Sequence, residues 1–175
     1  MRIDINFDSY LELEKIAIGA FNPLDAFMSK KDFESVAETM RLSNGLIFPL
    51  PILLPITETE YQNVKLASTA YLFYQNFCVG SIEVNDIYNL DLNKYIKKIF
   101  GTKDMHHPGV AMMLKMGSKF ISGKVKLKEK VNHNNRQLEM TPSETKAIIK
   151  KNKFLTVAGF QTRNIPHKAH EFIHR

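Results

Sequence analysis

The apolar run LIFPLPILLPI, residues 46–56, places the tightest limit on what this chain can fold into. It contains three prolines, Pro49, Pro51 and Pro55. Proline has no backbone N–H to donate and clashes with the preceding helical turn, so it is excluded from helix interiors and from central strands. We therefore predict an extended segment at the edge of a sheet or at the rim of a barrel.

Patterns on either side of this run predict a mostly β domain with short helices. The stretch SKKDFESVAETMRLSNG predicts a helix that has Ser29 as its N-cap and stops at Asn44-Gly45. Two β-rich runs flank Gln75-Asn76, which predicts a hairpin. The predicted apolar face of the helix consists of Phe33, Val36, Ala37 and Met40.

The stretch KFISGKVKLKEKV alternates between lysine and apolar side chains, which is typical of a half-buried strand. One face would be basic and exposed, and the other would be packed on the core. The basic face would carry Lys124, Lys126, Lys128 and Lys130, and the apolar face Val125, Leu127 and Val131.

The charge is unevenly distributed along the chain, whose net charge is +6. The first 60 residues have five Lys/Arg against ten Asp/Glu, and residues 61–175 have nineteen against eight. A basic C-terminal part favours an anionic partner such as a nucleotide, sulfate, phosphate or RNA. The single cysteine, Cys78, excludes a disulfide framework, and no apolar segment reaches the ~18 residues of a membrane span. We expect a soluble, cytoplasmic protein.

The character of the chain changes after about residue 135. TPSETKAIIKKN predicts a helix with Thr141 as its N-cap, and FLTVAGF, residues 154–160, predicts a strand buried on both faces. The polar loop QTRN and a helical stretch, HKAHEFIHR, follow. Helix, buried strand, loop and helix are the opening of an α/β nucleotide-binding domain.

In such a domain, the loop after the strand faces the ligand crevice and the next helix presents free N–H groups there. Arg163 and the neighbouring amides and imidazoles are nearly all donors, which suits an oxyanion or a polyphosphate. A zinc site on His167, His170 and His174 is the alternative, because their helical spacing could offer ligands. Anion binding is the better fit, because Arg163 and Lys168 would repel a cation.

These residues carry a resemblance to a known family. GFQTRNIPHKAHEFIH resembles the Q-T-R-N-P-x-H-x-x-H signature of the ATP sulfurylase (sulfate adenylyltransferase) family. The stretch from IAIGAFNPLDAFM to MRLSNGLIFPLP resembles the family's G-A-F-x-P-L-x-G-F-M opening and its continuation, and IFGTKDMHHPGV resembles its F-G-T-x-D-x-x-H-P-G-V segment. The three blocks occur in the family's order and span nearly the whole chain.

The resemblance implies an α+β protein. Residues 1–140 would form a PUA-like β-barrel domain with short helices. Residues 141–175 would form the first strand, loop and helix of a Rossmann-like nucleotidylyltransferase domain. Family members continue for about as many residues again, with a G-R-D-H-A-G block, so we expect a truncated chain that is not active by itself.

The implied reaction converts ATP and sulfate into adenosine 5′-phosphosulfate and pyrophosphate, as in sulfate assimilation. By resemblance, Gln161 and Arg163 would bind sulfate, and Gln161, Asn164, His167 and His170 would bind ATP. Thr162 would orient the phosphates with Asn164, and the two histidines would stabilise the departing pyrophosphate. The catalytic set is thus Thr162, Arg163, Asn164, His167 and His170.

The resemblance also implies ATP as substrate with Mg²⁺, no protein-bound metal and no membrane partner, and it leaves open a homo-oligomer in the full-length enzyme. The alternative is a PUA-like module that binds an anion or RNA without catalysis, using the face from Lys124 to Lys130. No aromatic side chains are interleaved with these lysines for base stacking, so a solvated face is the better interpretation and nucleic acid is not expected.

Overall fold

The structure is a computed structural model that describes residues 1–65, 67–132 and 135–174. The chain divides into two compact units, Met1–Thr141 and Pro142–Arg175. Helices and strands are mixed in the first unit, which confirms the predicted α+β class.

A curled sheet forms the frame of the first unit. Its strands are β1 (Arg2–Asp4), β2 (Ala26–Phe27), β3 (Leu54–Pro55), β4 (Thr69–Tyr74), β5 (Phe77–Glu83), β6 (Asp86–Asn89) and β7 (Lys119–Leu127). The longest strand, β7, pairs antiparallel with β2, β3, β5 and β6, and β1 and β4 continue the sheet beyond β5.

Helices and two short 3₁₀ turns connect and follow these strands. The helices are α1 (Phe7–Ala17), α2 (Lys30–Thr39), α3 (Glu58–Val64), α4 (Ile96–Phe100), α5 (Pro108–Lys115), α6 (Pro142–Lys151) and α7 (Lys168–Ile173). The 3₁₀ turns are Leu92–Lys94 and Arg136–Leu138. None of the helices in the described residues is long and apolar enough to cross a membrane.

The proline-containing run lies where its composition predicts, in an extended conformation at the edge of the sheet. Its only strand residues, Leu54 and Pro55, pair with Ile121 and Phe120 of β7. The side chains of Ile52, Leu53 and Leu54 are buried. The run therefore contributes apolar side chains to the core without supplying a central strand.

The predicted hairpin and α2 both form, with one correction. Gln75 and Asn76 adopt φ values of 48° and 69° between β4 and β5, the left-handed conformations that a tight two-residue hairpin turn requires. Ser29 caps α2 through a hydrogen bond from Asp32 N–H. The prediction that α2 continues to Asn44-Gly45 is wrong, because the helix ends where Met40 turns to φ 56° and points its side chain into solvent.

The alternation predicted for β7 holds only in its second half. Lys124 and Lys126 are exposed, but the first half is buried on both faces and the strand ends at Leu127. Lys128 and Lys130 therefore lie beyond the strand. The physical reason is that β3 and β6 pair with the first half, where the core surrounds it, so no face there is left for solvent.

The core cluster lies entirely within the first unit, where α1 packs against β7 and α2 packs against α4. Its fully buried large side chains include Tyr10, Phe27, Phe33 and Phe120. Burying side chains of this size contributes about 1.5–3 kcal/mol each. The first unit thus has a hydrophobic core of its own.

The second unit contains α6 and α7, joined by residues without regular structure. The prediction of a buried strand over 154–160 is wrong, because these residues form no strand and Leu155 is 99% exposed. A strand buried on both faces needs neighbouring strands to accept its backbone hydrogen bonds and helices to cover it. The described residues of Pro142–Arg175 provide no strand for that pairing.

Candidate functional site

The residues predicted to bind sulfate and ATP lie between 161 and 170, in the second unit. Residues 161–167 form a loop without helix or strand, and α7 begins at Lys168. Thr162 Oγ1 accepts a hydrogen bond from Asn164 N–H at 3.0 Å and donates one to the Asn164 carbonyl at 3.3 Å. These two bonds close a tight bend, so the Thr162 hydroxyl helps to shape the loop.

Gln161 and Arg163 lie on this bend with their side chains exposed. In the described part of the loop, no hydrogen bond or ion pair engages the Gln161 amide or the Arg163 guanidinium. A guanidinium presents five N–H donors in a planar fork that matches two oxygens of an oxyanion. The Arg163 fork is therefore available to an anionic ligand.

His167 and His170 form a close pair at the start of α7. The Nδ1 atom of His167 accepts from Ala169 N–H at 3.3 Å, and the Nδ1 atom of His170 accepts from His167 N–H at 3.2 Å. The ring centroids are 4.0 Å apart. The arrangement is a capping box built from imidazoles. The backbone N–H groups of His167 and Ala169 thus already donate to imidazole nitrogens. The expectation that the start of this helix presents free N–H groups to a ligand is wrong for these two residues.

The loop and the imidazole pair remain two separate groups in this structure. Among the described residues, no hydrogen bond connects Gln161–Asn164 with His167 or His170. The structure brings together Thr162 with Asn164, and His167 with His170. Assignment of all six side chains to one site therefore stays a prediction.

Sequence reasoning missed the contact that Phe160 makes with the histidines. Its ring lies 5.6 Å from the His170 ring and 4.2 Å from the His174 ring, both edge to face. The sequence assigned Phe160 to the end of a buried strand. The available signal was the position of the aromatic Phe160 directly before the polar loop, close in sequence to the imidazoles of His170 and His174.

The zinc alternative finds no support in the geometry of the described residues. No group of three or more His, Cys, Asp or Glu side chains among them is placed to hold a metal ion. His174 contacts Phe160, and His167 and His170 use their Nδ1 atoms as acceptors for backbone N–H groups. Absence of a protein-bound metal stays a prediction.

The basic face predicted from the lysine alternation is largely neutralised. Lys124 pairs with Asp25 at 3.6 Å, and Lys126 pairs with Glu83 at 3.2 Å. Lys130 lies 3.7 Å from the buried carboxylate of Glu14. Lysines that are paired with carboxylates attract a phosphate backbone less strongly than free ones, so this face is a weak candidate for RNA.

A cavity of about 660 Å³ lies in the first unit, between α1, α3 and the end of α5. Its lining carries the carboxylates of Asp4, Asp8, Glu12, Glu58 and Glu60 but only two lysines. Burial, together with the charge of Asp8, raises the pKa of Glu12 to about 8. Glu12 is then mostly protonated at neutral pH, but the other four carboxylates still outnumber the two lysines, so this cavity is not suited to the anions that the loop could bind.

Comparison with known families divides the chain into two matched parts. Residues 1–130 match the model of the PUA-like domain, which confirms the predicted fold of the first part, and residues 136–175 match the model of ATP-sulfurylase. The predicted boundary between domains at 140 stays a prediction.

Curated relatives are named sulfate adenylyltransferase. The chain is 37% identical over 171 residues to the one from Persephonella marina, covering 95% of this chain and 44% of the relative. It is 32% identical over 174 residues to the one from Pyrococcus abyssi, covering 99% of this chain and 45% of the relative. The chain thus spans less than half the length of these relatives.

A solved structure shares the fold. The hexameric APS kinase from Thiobacillus denitrificans superposes with a TM-score of 0.63, covering 87% of this chain and 26% of that one. The sequence identity is 18%, so the likeness concerns the fold alone.

Proposed function

The chain belongs to the ATP sulfurylase family, with a PUA-like domain followed by the start of the ATP-sulfurylase segment. We propose that it is part of a sulfate adenylyltransferase. The reaction joins sulfate to the α-phosphorus of ATP and releases pyrophosphate. The observation that carries the proposal is the match of residues 136–175, which contain the loop and the imidazole pair, to the ATP-sulfurylase model. The relatives extend beyond the part that this chain spans, and we propose that turnover needs that remaining length.

The reaction of sulfate with ATP explains why the site needs hydrogen-bond donors. Sulfate is a dianion at neutral pH, so the attacking oxygen needs no general base. The obstacle is the approach of one anion to another, and catalysis consists of positioning the two and neutralising their charge. In this proposal, the exposed fork of Arg163 and the amide of Gln161 bind sulfate.

The nucleotide is held by the other members of the set. Gln161 and Asn164 contact ATP, with Thr162 shaping the bend that presents Asn164, and His167 and His170 stabilise charge on the departing pyrophosphate. The hydrogen bonds between Thr162 and Asn164 and the contact between the imidazoles support these pairings. We further propose Mg²⁺ bound to the ATP phosphates, a role in sulfate assimilation, a cytoplasmic location and a homo-oligomer in the full-length enzyme.

The anion- or RNA-binding module without catalysis is less well supported. The PUA-like match alone does not distinguish it from an enzyme domain. The ion pairs of Lys124 and Lys126 with carboxylates weaken the surface on which it would depend.

The test is a chimera in which residues 1–175 replace the matched part of the Persephonella marina sulfate adenylyltransferase. We expect sulfate-dependent release of pyrophosphate from ATP. Arg163→Ala should lower kcat/KM by about 100- to 1,000-fold, the usual loss for a donor to a developing negative charge. Pyrophosphate release is measured with and without sulfate.

Lys150→Ala is the matched control, because it removes an exposed cation from α6 of the same unit. We expect it to leave the rate within about twofold, as for an exposed surface substitution. Near-normal activity of Arg163→Ala in an active chimera would contradict the proposed role of the loop.

A further inference from the structure

We infer that the start of α7 holds His167 and His170 in the tautomer that carries its proton on Nε2, and that Phe160 is a positioning residue for His170. The inference rests on the proposed function for its catalytic meaning, but the tautomers themselves follow from contacts in residues 160–174. It explains how the two imidazoles would act on the phosphates: as fixed, neutral hydrogen-bond donors.

The hydrogen bonds at Nδ1 determine the tautomer. A neutral imidazole has one protonated nitrogen, which donates, and one bare nitrogen, which accepts. Both Nδ1 atoms accept from backbone N–H groups, His167 from Ala169 and His170 from His167. Neither Nδ1 can then carry a proton, so in each ring the proton lies on Nε2.

The two rings lie next to each other, with their centroids 4.0 Å apart. With the proton of each ring on Nε2, the pair can present two Nε2–H donors, one from each ring, to phosphate oxygens.

Phe160 fixes the orientation of His170 from outside the capping box. Its ring meets the His170 ring at 71° with centroids 5.6 Å apart, and the His174 ring at 82° and 4.2 Å. Edge-to-face geometry is a favourable arrangement for aromatic pairs. The phenyl ring of Phe160 has no polar atom that could bind sulfate or a phosphate, so in this inference its effect on the reaction passes through the orientation of His170.

The tautomers can be read directly in the 175-residue chain by long-range ¹H–¹⁵N correlation of labelled histidines at about pH 8.5, where an ordinary imidazole is neutral. His107 is the reference for the Nε2–H form, because its Nδ1 accepts from Val110 N–H at the start of α5. His106 is the opposite reference: its Nδ1 lies 2.9 Å from the Asp104 carboxylate, and because a carboxylate only accepts, this hydrogen bond requires the proton on Nδ1. We expect His167 and His170 to match His107; an Nδ1–H form at either one overturns the inference.

The role of Phe160 is tested in the chimera with Phe160→Leu, which keeps an apolar side chain but removes the ring, and with Phe160→Tyr, which keeps the ring. Phe160→Leu should lower kcat by about 10- to 100-fold, as expected for a misplaced catalytic group, with KM for sulfate changed by less than about twofold. Phe160→Tyr should restore most of kcat.

The two proposals fail separately. If Arg163→Ala lowers kcat/KM by about 100-fold or more and Phe160→Leu leaves kcat within about twofold of the parent chimera, the positioning role of Phe160 is wrong and the proposed function stands. If Arg163→Ala stays active, the proposed function fails. The spectra of the 175-residue chain then still test whether His167 and His170 carry their protons on Nε2. Because the spectra need no substitution, a Phe160→Leu chimera that fails to fold leaves that test intact.

Discussion

At the scale of single residues, Arg136 shows how contacts with residues far away in the sequence can hold the segment that follows β7. It donates to the Glu14 carboxylate at 2.6 Å, to the Tyr10 hydroxyl at 2.9 Å and to the Val131 carbonyl at 2.8 Å. Burial by itself would raise the pKa of Glu14, but hydrogen bonds from Arg136 and Tyr10 hold it below its ordinary value. Arg136 thereby ties the chain after β7 to α1.

We predict that Arg136→Ala lowers the free energy of unfolding by about 3 kcal/mol, because Glu14 then remains buried without its partner. The Glu14 side chain is 4% exposed and that of Arg136 is 17% exposed. Lys130→Ala is the control: this lysine is 42% exposed and 3.7 Å from Glu14, so about 0–1 kcal/mol is expected. Urea denaturation at neutral pH measures both. Equal losses of unfolding free energy in Arg136→Ala and Lys130→Ala would contradict the role of Arg136 as the main partner of Glu14.

The same pair predicts a response to acid. Folding lowers the pKa of the Glu14 carboxylate from its ordinary value of 4.5. The charged carboxylate therefore contributes its full stabilisation above pH 4.5, and this stabilisation is lost as the pH falls through the lower pKa of the folded state. Acidification should therefore destabilise the wild-type chain more than Arg136→Ala.

At the scale of elements, local sequence signals correctly predicted features that depend on hydrogen bonds between nearby residues. The hairpin turn at Gln75-Asn76 and the N-cap at Ser29 depend on bonds within a few residues, and both form as predicted. The strand over 154–160 was predicted from apolar composition alone and does not form, because a strand needs partners that no local pattern supplies. The imidazole capping box at His167 is local too, but imidazole is an uncommon cap, so the usual cap preferences did not indicate it.

Gly123 carries a prediction about β7. It lies at φ 153°, and a Cβ there would meet the Glu83 carbonyl oxygen at 1.6 Å. We expect Gly123→Ala to destabilise the chain by at least about 3 kcal/mol, from backbone strain and displacement of β5. Gly101→Ala is the control, because Gly101 also has a positive φ, 72°, but open space around it, so about 1–2 kcal/mol is expected. Urea denaturation compares the two; a smaller loss for Gly123→Ala would be inconsistent with this packing.

At the scale of the whole molecule, stability is concentrated in one unit. The buried cluster extends from Ile3 to Ile121, all within Met1–Thr141. In the described part of the second unit, Leu155, Ile165 and Phe172 are each more than 80% exposed. The second unit therefore adds apolar surface without adding to this core.

We predict that residues 1–141 fold by themselves. Their melting temperature should lie within about 4 °C of that of residues 1–175, which corresponds to a difference of about 1 kcal/mol for a chain of this size. Binding of a hydrophobic dye should be weaker without residues 142–175. Calorimetry and dye fluorescence measure these outcomes, and loss of a cooperative transition in residues 1–141 would show that the second unit is needed for folding.

The sequence by itself determined the class of the fold, the cap at Ser29, the turn at Gln75-Asn76, the family and the candidate donors of the loop, because each depends on residue type and short spacing. The tertiary structure decided the rest: the curl of the sheet around β7, the burial of Glu14 against Arg136, 122 positions away, and the placing of Phe160 against the imidazoles of α7. Contacts between distant residues leave no periodic pattern in a single sequence, since packing in three dimensions selects them. The bonds that hold His167 and His170 are local, but they were not named in advance with the six candidate side chains because imidazole is an uncommon cap.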